Sequence, residues 1–111
     1  MNINELREEH KLVNLFCTLA EIPSPSLKED KVIEFLQKYC RENNLQCRLD
    51  NYRNVYITVP ATDSTKAPLL LSAHMDVIGD DSPVEIYLDG DLIRAKDRTL
   101  GADDKAGVAN A

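Results

Sequence analysis

LLLSAHMDV, residues 69–77, carries three apolar residues straight into an imidazole and a carboxylate placed one residue apart. Pro68 stands before the run, and a short apolar stretch behind a breaker, PLLLSA over 68–73, predicts a strand covered on both faces. In extended chain, residues i and i+2 project to the same side, so the carboxylate of Asp76 can reach the ring of His74 and fix its tautomer. Metal-ligating histidines are commonly oriented in this way. The place also suits a site, because ligands of α/β sheets gather at the carboxyl ends of strands. The competing reading is a solvated His and Asp at a strand exit, and these residues alone leave both open.

Toward the N-terminus the period is helical. Between Glu5 and Ala20, the residues Leu6, Val13, Phe16, Cys17 and Ala20 share one face. IPSPS, residues 22–26, ends that helix, because Pro23 and Pro25 cannot continue it. Ser26 followed by Glu29 has the spacing of a capping box and predicts the start of a second amphipathic helix. Val32, Ile33, Phe35, Leu36, Tyr39 and Cys40 form its apolar stripe, and Asn43-Asn44 supply a left-handed stop. The period then changes to two. LQCRLD (45–50) and VYITV (55–59) predict strands joined by NYRN, with Pro60 closing the second and ATDSTKA (61–67) a polar loop.

Beyond residue 77, VEIYL and DLIRA flank Asp89-Gly90, a strong signal for a two-residue hairpin. DDKAGVANA, residues 103–111, starts a helix. Two helices, then strands of a mixed sheet with a buried central strand, then a further helix predict an α/β fold of three layers, α-β-α. The helical pattern at residues 103–111 suggests that 1–111 is a fragment of something longer.

Bulk properties narrow the function. A chain of 111 residues holds at most one domain, and 43% apolar with 29% charged residues belongs to a folded globular protein. Thirteen Lys and Arg against nineteen Asp and Glu give a net charge of −6, without a basic patch to neutralise a phosphate backbone, so no nucleic-acid partner is expected. Cys17, Cys40 and Cys47 are scattered, without C-x-x-C spacing, and read as free thiols of a reducing compartment rather than zinc ligands. The polar, acidic MNINELREEH has no signal-peptide character, and apolar runs stop at three residues, so no membrane span is expected. Together these predict a cytoplasmic protein.

A second cluster, TLGADDKAG (99–107), sets Asp103 and Asp104 between two glycines at the start of a helix. Either aspartate could serve as a helix cap. Gly101 and Gly107 imply close backbone approach on both sides of the acids, which would suit a carboxylate held for a cation.

LLLSAHMDV, some thirty residues with a hairpin, and then LGADDKAG together resemble the co-catalytic zinc exopeptidases of the peptidase T type. Aminoacylases, glutamate carboxypeptidases and succinyl-diaminopimelate desuccinylase belong to the same wider family. The helical opening with its proline-bearing link is similar too, so the resemblance covers essentially all 111 residues. It implies that His74 binds one of two zinc ions and that Asp76 is the active-site aspartate hydrogen-bonded to it. It implies further that Asp103 bridges both metals and that Asp104 follows across a peptide bond that is commonly cis in the family. A bridging carboxylate makes physical sense there, since it partly neutralises two dications held about 3.5–4 Å apart. The family also uses a glutamate pair, a further acid and a distant histidine, as well as a lid or dimerisation domain, none of which matches residues 1–111.

The resemblance thus implies a zinc-dependent peptidase, an aminopeptidase of tripeptidase type acting on small peptides, with homo-oligomers possible. An amidohydrolase of N-acyl amino acids is the near alternative. A non-catalytic α/β module with an incomplete metal site is the alternative for residues 1–111 by themselves, since a catalytic zinc usually has three protein ligands and His74 with Asp103 offers two.

Overall fold

Residues 1–111 are all described in the structure, a computed structural model. α1 spans Ile3–Glu9 and α2 spans Lys11–Ala20. The single helix expected over Glu5–Ala20 is therefore two, parted at His10, whose backbone is extended (φ −129°, ψ 107°). His10 closes one helix and opens the next: its N–H donates to Leu6 O at 3.1 Å and its carbonyl accepts from Asn14 N at 3.0 Å. Arg7 ties the two helices together. Its Nε donates to Asn14 Oδ1 at 2.9 Å, a guanidinium N–H reaches Thr18 Oγ1 at 3.2 Å, and another pairs with Glu21. Cys17, Leu19 and Ala20 form the buried side of α2, which packs on α1 and on the last helix.

α3 runs Asp30–Glu42. Val32, Ile33, Leu36 and Cys40 are buried at helical spacing, and the rings of Phe35 and Tyr39 lie 6.4 Å apart on the flank of that stripe. The stop falls where expected. Asn44 takes a left-handed φ of 55°, and Leu45 N closes back on Cys40 O at 2.8 Å. The capping box does not form, because α3 starts at Asp30 and Ser26 lies in a separate turn before it.

β1 (Gln46–Leu49) and β2 (Val55–Thr58) pair antiparallel with Cys47 opposite Ile57. β3 (Ile86–Asp89) and β4 (Leu92–Ala95) form a second antiparallel pair. Its loop is Gly90-Asp91, one residue later than the sequence suggests, with Gly90 at φ +59°. α4 spans Ala102–Asn110.

The fold class is α/β, as the order of elements implies. The mixed sheet is not formed, since both sheets are two-stranded and antiparallel. Residues 68–73 are not a strand either, and Leu69, Leu70 and Leu71 are 83%, 84% and 59% exposed. Each strand bonds only to its own hairpin partner, and the Leu69–Leu71 backbone joins neither pair. No helix is long and apolar enough to cross a membrane.

The chain divides into two units, Met1–Val32 with Ser72–Ala111, and Ile33–Leu71. In the first, Cys17, Leu19, Ala20, Val32 and Val77 are buried together with two polar residues, Ser24 and Lys105. In the second, the buried side chains are Ile33, Leu36 and Cys40.

Candidate metal centre

Every residue of the site belongs to the first unit. His74, Met75 and Asp76 lie in irregular chain laid over the IPSPS turn, and three bonds fasten them there. Ser24 Oγ donates to Met75 O at 2.8 Å, Val77 N donates to Ser24 O at 2.9 Å, and Ser26 Oγ donates to Asp76 Oδ2 at 2.5 Å. Ser24 is fully buried, as its two backbone contacts require.

His74 has a different partner at each ring nitrogen. Nδ1 lies 2.9 Å from the main-chain carbonyl of Asp76 and 3.3 Å from its Oδ1. Both are acceptors, so Nδ1 carries the proton. The carbonyl and the carboxylate of Asp76 thus both face Nδ1, and the peptide oxygen, not the carboxylate, is the nearer. Nε2 lies 3.0 Å from Asp103 Oδ1, twenty-nine residues on. Spacing alone paired His74 with Asp76 and left Asp103 in a second cluster, while the resemblance implied that His74 and Asp103 share a metal centre; the fold brings all three together.

The two aspartates of the second cluster divide the work. Asp103 (φ −93°, ψ 98°) and Asp104 (φ −125°, ψ 36°) interrupt the first turn of α4, and the bond between them is cis. Asp104 Oδ1 accepts from Gly107 N at 3.1 Å, the bond of a helix cap. Asp103, its side chain 96% exposed, makes no such bond and faces His74. The glycines are needed for close approach. Gly101 takes φ +81°, and a Cβ there would stand 3.1 Å from Val77 Cγ1, while one at Gly107 would collide with the Asp104 carboxylate.

Hydrogen bonding sets the charges. Donation to the Asp76 carbonyl and to Asp103 raises the pKa of His74 above that of a free imidazole, and the Ser26 hydroxyl, followed by His74, holds Asp76 below the usual carboxylate range. Lys105, one turn into α4, is buried and donates to Ile22 O; burial lowers its pKa to about 8.

A divalent metal fits this donor set. With Nδ1–H committed to Asp76, a neutral ring presents its Nε2 lone pair to a carboxylate oxygen that also offers a lone pair. Two acceptors 3.0 Å apart need a cation between them, either a proton or a metal. Two ligands each about 2.0–2.1 Å from a tetrahedral ion stand roughly 3.3 Å apart, close to the separation found. No third His, Cys, Asp or Glu joins them in this chain.

Ser24, Ser26 and Lys105 were not foreseen as part of this site. A signal existed for the serines. A residue set among prolines is unsuited to a helix, which leaves its hydroxyl free for a remote partner.

No family model matches the chain. Among curated proteins it is similar to the cytosol non-specific dipeptidase of Escherichia coli (strain K12), 30% identical over 112 aligned positions that take in 90% of this chain and 23% of that protein. Among solved structures it is similar to the aminoacylhistidine dipeptidase from Vibrio alginolyticus, with a TM-score of 0.74 and 30% identity over 88% of this chain and 22% of that one. The chain spans less than a quarter of the length of either relative.

Proposed function

We propose that residues 1–111 are the N-terminal part of a metallopeptidase catalytic domain whose whole protein hydrolyses the peptide bond of small peptides. In this reading His74 and Asp103 are metal ligands and Asp76 is the active-site residue that orients His74. The observation that carries it is the approach of His74 Nε2 to Asp103 Oδ1 while Nδ1 is held by Asp76. Likeness to two dipeptidases supports peptide hydrolysis over deacylation of N-acyl amino acids, and it favours dipeptides over the tripeptides suggested by LGADDKAG. Zinc is the proposed metal, two ions in the complete site, and the cytoplasm the proposed compartment.

The residues here have defined tasks. His74 offers a neutral nitrogen, kept in one tautomer by Asp76. Asp103 offers a carboxylate whose exposed surface leaves room for a second partner. Bound zinc would supply Lewis-acid polarisation of the scissile carbonyl and a lowered pKa for water. With two donors where a catalytic zinc usually has three, the chain by itself is proposed to be inactive.

Calorimetric titration of the chain with Zn²⁺ at neutral pH tests the assignment. Weak binding is expected, with heat lost in both His74→Ala and Asp103→Ala. Tight binding that survives both substitutions would show that the metal lies elsewhere.

A further inference from the structure

Ser26 has the spacing of a helix cap but does not act as one. Its hydroxyl instead bonds a carboxylate oxygen fifty residues away, Asp76 Oδ2 at 2.5 Å. The other oxygen of that carboxylate, Oδ1, is the one beside His74 Nδ1. With Oδ2 held, the carboxylate cannot turn away from the ring without breaking the bond to Ser26.

Ser24 acts on the backbone of the same segment. The Asp76–Val77 peptide is trans, so its N–H and its carbonyl point in opposite directions. The N–H donates to Ser24 O and the carbonyl faces His74 Nδ1, which fixes that peptide plane from both edges. The preceding plane is fixed as well, because Met75 O accepts from Ser24 Oγ. Lys105 Nζ in turn donates to Ile22 O at the head of the turn, joining α4, which carries Asp103, to the same brace.

We infer that the Ile22–Ser26 turn sets the ring orientation of His74, with Ser26 a positioning residue that acts through the Asp76 carboxylate and Ser24 one that acts through the backbone. The inference rests on the proposed role of His74 as a ligand, but the geometry it describes exists without metal. Ser26 is exposed, so its hydroxyl can be removed without opening a cavity.

The test compares the chain with Ser26→Ala and Ser26→Thr. Long-range proton–nitrogen NMR of the His74 ring, in metal-free protein that also carries Asp103→Ala so that no carboxylate competes at Nε2, and with the ring neutral, reports its tautomer. Zn²⁺ titration, with Asp103 in place, reports its use as a ligand. In that Asp103→Ala background, the protein that keeps Ser26 and the one with Ser26→Thr should both show the Nδ1–H form. Ser26→Ala should show a mixture of tautomers and about tenfold weaker zinc binding, at the low end of the ~10–100-fold range for residues that orient a ligand. An unchanged ring spectrum in Ser26→Ala overturns the inference. If the tautomer shifts in Ser26→Ala while even the wild type takes up no zinc, the positioning role stands and the metal reading is what fails.

Discussion

Asp103 and Asp104 are chemically identical neighbours with unlike tasks, and the backbone alone separates them. Asp104 is aimed at Gly107 N–H and caps the turns of α4 that follow the kink, while Asp103 is aimed at His74. Residue type offered a cap and a candidate ligand in this pair without separating them, since it is the same at both positions, and only the family resemblance put the ligand at Asp103. His74 stood out because an imidazole follows an apolar run, yet that local pattern left a solvated strand exit open, and the resemblance supplied its expected role. The same scale yields a test of the loop that presents Asp103. Gly101 holds a left-handed φ of +81° with Val77 close to where a Cβ would lie. Gly101→Ala should cost about 1–2 kcal/mol from the left-handed backbone, with crowding against Val77 adding to it. Urea unfolding would measure the loss, and a variant as stable as the wild type would mean that the loop relaxes freely.

Elements with their own partners were legible, whereas those that depend on distant backbone were not. The β1–β2 hairpin follows from alternation and a polar turn, and both features are local. Its turn is organised by Asp50, whose carboxylate accepts from the N–H groups of Tyr52 and Asn54, from Asn54 Nδ2 and from the Tyr56 hydroxyl. These bonds, those from Asn54 foremost, lower the pKa of Asp50 below its ordinary value of 3.8. A carboxyl whose folded pKa is depressed stabilises the fold above the unfolded value and loses that contribution as pH falls through the folded one. The hairpin should therefore weaken below about pH 3.8, and Asp50→Ala should remove that dependence. Amide exchange of β1 and β2 across this range would show it, and an identical acid response in the variant would contradict it. The 68–73 stretch failed as a strand because apolar character reports only that a segment suits burial. Whether it joins a ladder depends on which backbone lies alongside, and it pairs with neither hairpin. The Ser26 cap failed differently. S-x-x-E is a local pattern, and here a bond to Asp76 takes the hydroxyl that the pattern would use.

At the scale of the whole molecule, the chain corresponds to less than a quarter of either dipeptidase it resembles, and it brings two candidate donors together. The proposed reading accounts for both facts, since the remaining ligands would come from the rest of the catalytic domain. It also gives Leu69–Leu71 a use, as apolar surface to be covered there. The central claim is that His74 and Asp103 form one half of a metal site, and locating a metal tests it most directly. Crystals of the chain soaked in millimolar zinc and measured at the zinc absorption edge would give an anomalous peak at the ion. The account predicts a peak between His74 Nε2 and the Asp103 carboxylate, about 2.0–2.2 Å from each. A peak at the cysteines alone, or His74 still hydrogen-bonded directly to Asp103 with no ion between them, would contradict it.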